Sequence, residues 1–100
     1  MSNRHVEVFY HDEQLYAMLE WLNEEPIIHF DIDKFNKSTY KLMETEARKI
    51  YKKLKDMGKK YIWAYVFYGI KHDVADFFIE KHKYVHVSSG QFTDLYRKEL

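Results

Sequence analysis

Between His5 and Tyr10, Val6, Val8 and Tyr10 alternate with Glu7 and Phe9, a period-two pattern that predicts a short strand with one wetter face. Further on, Leu15, Met18, Leu19 and Leu22 recur at spacings of three and four, with Asp12 placed to cap and Glu24-Glu25-Pro26 to stop the segment. That spacing predicts an amphipathic helix. From Ile27 to Phe35 the period returns to two, with Ile28, Phe30 and Ile32 on one face and His29, Asp31 and Asp33 on the other. The longest element is a helix from about Ser38 to Met57, where Tyr40, Met43, Ala47, Ile50, Tyr51, Leu54 and Met57 form a continuous apolar stripe and Gly58 supplies the stop.

Tyr61 to Tyr68 is hydrophobic on both faces, as a central strand covered by helices on both sides should be. Ile70, Val74, Phe77, Phe78 and Lys81 predict a helix after Gly69, held on the sheet by Phe77 and Phe78. Tyr84 to Val87 and Phe92 to Arg97 predict a closing hairpin that turns at Ser88-Ser89-Gly90. The expected fold class is therefore α/β: one domain over residues 1–100, a three-layer mixed sheet in the order β-α-β-α-β-α-β-β, largely parallel in the middle.

Composition supports a folded chain. Of 100 residues 46% are hydrophobic and 32% charged, with only three Gly and one Pro, which excludes a disordered or low-complexity segment. The absence of Cys excludes disulfides, a thiolate zinc site and a cysteine nucleophile. The longest apolar run, Tyr61 to Tyr68, is too short to span a bilayer, and no secretory leader is visible. A cytoplasmic setting away from membranes is the expectation, in a host cell or a virion if the source is viral.

Sixteen basic and sixteen acidic side chains cancel, which argues against a protein built as a whole to hold nucleic acid. The charges are nevertheless segregated. Residues 1–36 carry two basic against eight acidic groups, and residues 37–60 carry nine basic against three acidic. Oppositely charged surface helices would account for this, and so would a basic groove for a phosphorylated ligand. The lysines in the second half of the long helix also complement the negative end of its dipole.

No GxxxxGK[ST], GxGxxG or HExxH occurs, so the usual nucleotide loops and the zinc-protease helix are absent. His29, Asp31 and Asp33 share a strand face, an arrangement more common on wet strand faces than in metal sites, and no metal is expected. Ala64-Tyr65-Val66-Phe67-Tyr68 fits the second half of an RNA-recognition strand pattern, but Tyr61-Ile62-Trp63 does not fit the first half.

Order and spacing from Ile27 onward carry more information. A strand leads into a long helix closing on Leu54-Lys55-Asp56-Met57-Gly58-Lys59-Lys60. Tyr61-Ile62-Trp63-Ala64-Tyr65-Val66 follows, then a helix ending Glu80-Lys81-His82-Lys83-Tyr84-Val85-His86-Val87, then Leu95-Tyr96-Arg97-Lys98-Glu99-Leu100. This resembles the C-terminal half of the GNAT superfamily of acetyl-CoA-dependent N-acetyltransferases, in which a helix often closes on E-K-L-G-F-K-E-V and the last strand often reads like L-Y-R-K-E-L. The shortened front resembles compact GNAT-like proteins encoded by bacteriophages.

The resemblance implies acetyl-CoA as cofactor and an amine as acceptor. The pyrophosphate would lie on the loop before the long helix, and the thioester between two central strands that splay apart. The equivalent loop is Asn36 to Lys41, with Lys37, Ser38, Thr39 and Lys41 as phosphate-binding side chains and none of the family's glycines. His72 stands where the family commonly has Asn, Ile79 where it has the tyrosine that protonates the leaving thiolate, and Lys83 where it has Gly. The catalytic candidates are His29, Asp31 and Asp33. His29 is the better base because histidine titrates near neutrality. Tyr65, Tyr68 and Tyr84 are the remaining sources of an acid. The expected function is an N-acetyltransferase homologue with weakened or lost catalysis, and the alternative is a non-catalytic scaffold that binds a host or virion protein.

Overall fold

Eight elements follow one another in the computed structural model, which describes residues 4–33, 35–67 and 72–100, the side chains of 72 and 73 excepted. They are β1 (Arg4–His11), β2 (Leu15–Leu22), β3 (Glu25–Ile32), α1 (Lys37–Asp56), β4 (Tyr61–Phe67), α2 (His72–Lys81), β5 (Val85–Ser89) and β6 (Thr93–Glu99). The strands form one sheet in the order β1-β2-β3-β4-β6-β5. Only β3 and β4 run parallel, and every other neighbouring pair is antiparallel.

The first departure from expectation is β2. Leu15 to Leu22 is a strand, not a helix, because Leu15, Ala17, Leu19 and Trp21 alternate into the core while Tyr16, Met18, Glu20 and Leu22 turn to the other face. The helical spacing of Leu15, Met18, Leu19 and Leu22 arises only because both faces of this strand are apolar, a case in which periodicity cannot separate the two templates. The turns decide it. Asp12 closes a hairpin: its Oδ1 accepts from the Gln14 and Leu15 amides at 2.7 and 2.9 Å, and its Oδ2 accepts from the Tyr10 hydroxyl at 2.6 Å. Asn23 and Glu24, at φ 51° and 69°, form the two-residue turn that sets Leu22 opposite Glu25.

The second departure is the number of layers. Both helices pack on the same face of the sheet, where Leu15, Leu19, Trp21, Ile28, Ile62, Ala64 and Val66 meet Met43, Ala47, Ile50 and Leu54 of α1 and Phe78 and Ile79 of α2. The two helices also touch, through Tyr40 and Phe77 with ring centroids 5.2 Å apart and a Lys81–Glu44 ion pair at 2.6 Å. The expected three-layer sheet with three helices is therefore replaced by a six-stranded sheet with two helices on one side. Burial of Leu15, Leu19, Ile50, Leu54 and Ile62, each under 2% exposed, contributes roughly 1.5 to 3 kcal/mol per side chain to that interface.

β4 is accordingly not covered on both faces. Ile62, Ala64 and Val66 face the helices, whereas Tyr65 and Phe67 are exposed and Tyr61 and Trp63 are partly so on the opposite face. The Arg97 guanidinium lies over the Tyr61 and Trp63 rings, 4.4 and 5.5 Å from their centroids. In α2 the two phenylalanines divide: Phe78 is 4% exposed and Phe77 is 52% exposed. Tyr68, Gly69 and Ile70 lie outside the described residues.

Both helices end in the same turn. At the end of α1, Lys59 N donates to the Leu54 carbonyl at 2.9 Å around Gly58, whose φ is 80°. At the end of α2, Tyr84 N donates to the Ile79 carbonyl at 3.0 Å around Lys83, whose φ is 61°. The charge segregation of the sequence is used across elements: Lys53 of α1 pairs with Glu7 of β1. Among the described residues, no helix is long and apolar enough to cross a membrane.

Candidate functional site

A parallel pair normally runs as a continuous ladder, but β3 and β4 are joined only at Ile27 opposite Trp63 and Ile28 opposite Ala64. Past this point no rung joins residues 29–32 to residues 65–67. Each strand is held on its other side: β3 pairs with β2 over its whole length, and β4 pairs with β6 from Tyr61 to Phe67. The strands therefore diverge toward their C-terminal ends and leave a wedge between them.

The wedge holds a cavity of about 490 Å³ lined by residues from both faces of the sheet. On the helix side its wall is apolar, made by Phe30, Val66, Met43, Phe78 and Ile79, with the Phe30 and Phe78 rings edge to face at 5.3 Å. On the open side it is bounded by His29, Asp31, Tyr65 and Phe67, which alternate onto the face that carries no helix. The C-terminal end of a parallel pair is where open α/β sheets place their ligands.

The candidate bases divide at this wedge. His29 and Asp31 line it and are exposed. Asp33 stands beyond the end of β3, where its amide donates to the Gln14 carbonyl at 2.9 Å, and it is not part of the lining. Ile79 contributes a methyl surface, so α2 offers no proton donor at that position. Tyr65 is the tyrosine at the cavity.

Tyr84 is elsewhere. It is buried, with its hydroxyl 3.0 Å from that of Tyr51, which in turn lies 3.1 Å from His82 Nδ1. Burial pushes the Tyr84 hydroxyl well above its ordinary value and raises that of Tyr51 as well.

The start of α1 follows closely on β3. Asn36 caps it: its Oδ1 accepts from Thr39 N at 2.9 Å and its carbonyl accepts from Tyr40 N at 2.9 Å. Thr39 is 0% exposed, and its hydroxyl lies 3.2 Å from Asn36 Oδ1 and 3.4 Å from Gln14 Oε1, so its side chain belongs to the cap and not to a phosphate site. Lys37, Ser38 and Lys41 are exposed, and the first turn contains no acidic residue. The first turn therefore supplies no carboxylate of its own to complement the positive end of the helix dipole. The side chain of His72 lies outside the described residues.

Sequence reasoning did not find Phe30, Val66 and Phe78 as cavity residues, since each looks like ordinary core and the wedge is a property of strand register. Among the described residues no group of three His, Asp or Glu side chains is arranged to hold a metal ion. Compared with family models, curated proteins and solved structures, the chain matches none.

Proposed function

We propose that the wedge between β3 and β4 binds the thioester arm of an acyl-CoA, with acetyl-CoA as the expected donor and an amine as the acceptor. One observation carries this reading: two parallel strands that part after Ile28 and Ala64 and leave a cavity walled by the helices on one side and open on the other face of the sheet. An extended chain containing amides can lie there as a short strand would, between β3 and β4 past Ile28 and Ala64. An acyl group held against Phe30, Val66 and Phe78 would then meet an amine entering from the open face. There His29 is the base, with Asp31 beside it, and Tyr65 is the hydroxyl that the described lining offers to the departing thiolate. The GNAT resemblance of the C-terminal seventy residues points to the same donor.

The reading is tested by thermal unfolding with acetyl-CoA and with CoA, since a ligand that binds only the folded protein raises Tm by mass action. Acetyl-CoA should raise it saturably and beyond the increase given by ADP, which carries the same pyrophosphate, and Ala75→Trp, which places an indole in the cavity, should abolish that excess. No increase with either compound at millimolar concentration overturns the proposal. Thiol release over a panel of amines then reports catalysis, and turnover unchanged in His29→Ala would remove His29 as the base.

The exposed apolar face favours a second reading, a binding scaffold for another protein. Val6, Val8, Tyr65, Phe67 and Val85 are exposed, and Tyr61 and Trp63 lie partly exposed between them. Absence of ligand binding, together with retention of this face, would leave the scaffold reading as the stronger one.

A further inference from the structure

We propose that a second cavity, at the other end of the sheet, binds a small ligand carrying a pyrophosphate group. This cavity of about 370 Å³ lies between the C-terminal halves of α1 and α2 and the end of β6. It sits beside the start of β4, because Lys98 and Glu99 pair with Ile62 and Tyr61. The wedge lies at the opposite end of that strand, roughly 20 Å away at the rise of an extended chain.

Five cations line this second cavity, Arg48, Lys55, Lys81, Lys83 and Lys98, against the carboxylates of Glu44 and Glu99. Glu44 is already engaged by Lys81 at 2.6 Å and Arg48 at 3.5 Å. Lys98 Nζ donates to the His82 carbonyl at 2.7 Å. Burial, reinforced by the charges of Lys55 and Lys83, pulls the Lys98 ammonium below the ordinary lysine value, as expected where cations outnumber anions. Lys55 and Lys83 make no ion pair among the described residues.

Helix-dipole complementation accounts for Lys55 and Lys81, which stand in the last turns of their helices. It does not account for Lys83. That residue holds a left-handed backbone conformation, φ 61°, in the same turn for which α1 uses Gly58. A side chain at such a position is strained relative to glycine, and here it places an ammonium at the cavity. His82 adds a polar group: it lines the cavity, and its Nε2 is shielded from solvent without a hydrogen-bond partner. If Tyr51 donates to His82 Nδ1, Nε2 carries the ring proton, and a rotation that uncovers it would offer that proton to an anion in the cavity. A diphosphate has the charge and the several acceptors that this arrangement lacks.

The experiment uses inorganic pyrophosphate, with potassium chloride at matched ionic strength as control and ADP as a second arm. Pyrophosphate should raise Tm saturably and shift the His82 imidazole C–H resonances, while the chloride control should do neither. Lys83→Gly should raise Tm of the free protein, because glycine accepts the left-handed turn, and yet weaken pyrophosphate binding about tenfold. Lys55→Gln, at an exposed helical position, should fold normally and weaken binding similarly. Tighter binding of ADP than of pyrophosphate assigns the site to a nucleotide, and equal or weaker binding assigns it to the free anion. Ala75→Trp should leave pyrophosphate and ADP binding here intact while removing the excess Tm increase that acetyl-CoA gives over ADP, which tells this site apart from the acyl-CoA reading. The proposal is overturned if the chloride control reproduces the Tm increase, or if Lys83→Gly and Lys55→Gln both bind pyrophosphate as tightly as the parent.

Discussion

The Tyr84 hydroxyl lies 3.0 Å from the Tyr51 hydroxyl, joining the residue after the α2 turn to the middle of α1 inside the protein. Tyr51 is shared, since its hydroxyl also reaches His82 Nδ1 at 3.1 Å. Tyr84→Phe removes one partner and should cost roughly 1 kcal/mol, whereas Tyr51→Phe strands both Tyr84 and His82 and should cost roughly 2 kcal/mol. Urea unfolding of the two variants checks the order. Equal losses would mean that His82 draws nothing from Tyr51.

His82 gives stability a pH dependence. Burial lowers its pKa below the ordinary 6.5, opposed by Glu44 and reinforced by Lys98, Lys81 and Arg48. Above about pH 6.5 the imidazole is neutral in both states, so it adds no slope. As the pH falls below that value the unfolded chain takes up a proton that the folded protein resists. Stability therefore declines until the lowered folded pKa is passed, and then levels off. Unfolding midpoints between pH 7.5 and 5 should show this decline, and His82→Gln should flatten it.

The two phenylalanines of α2 should separate by energy as they do by burial. Phe78→Ala empties a site that is 4% exposed, between Phe30, His82 and Tyr84, and should cost roughly 3 to 5 kcal/mol. Phe77 is 52% exposed and touches Tyr40, so Phe77→Ala should cost less than about 1 kcal/mol. Calorimetric or denaturant unfolding distinguishes them.

Sequence patterning located α1 well, because its stripe is interrupted by charges at every turn and Gly58 marks its end. It failed for β2, where Tyr16, Met18 and Leu22 are apolar on the face away from the helices and so complete a false helical pattern. Asn23 was the available clue, since Asn tolerates the left-handed conformation of a two-residue hairpin. The same ambiguity suggests a third layer: Tyr61, Trp63, Tyr65 and Phe67 look like a buried face, yet among the described residues no helix covers them. His29 and Asp31 were placed on one strand face correctly, but their position at a wedge depends on where two ladders part, which no single segment encodes. Lys83 was noticed as a replacement for glycine, and only the backbone angle gives that observation physical meaning.

The β2–β3 hairpin provides a direct check of its own assignment. Glu24 holds φ 69° with no special stabilisation from its side chain type, whereas glycine is at ease there. Glu24→Gly raises the entropy of the unfolded chain, which costs stability, but removes the left-handed strain, so stability should rise by about 0.5 kcal/mol. Amide exchange checks the assignment itself: the β2–β3 ladder should protect alternate amides of Leu15 to Leu22 through β3, whereas a helix there would protect consecutive ones.

The last expectation concerns how an acyl-CoA would be held at the start of α1. Asn36 already takes the amides of Thr39 and Tyr40, and Thr39 is buried in the cap, so the groups left for a phosphate are the side chains of Lys37, Ser38 and Lys41 and the first amides of the helix. Both lysines are exposed. Each should then contribute only the small, screened energy of a surface charge, about 0.5 to 1 kcal/mol at low salt. Lys37→Ala combined with Lys41→Ala should weaken CoA binding roughly tenfold at low ionic strength. At 0.5 M salt, where screening acts within a few Å, the difference should shrink toward twofold. Asn36→Ala should behave differently, lowering stability by about 1 kcal/mol through loss of the cap. Calorimetric titration with CoA at two salt concentrations makes the comparison, and a double variant that binds as tightly as the parent at low salt would place the phosphates away from this helix.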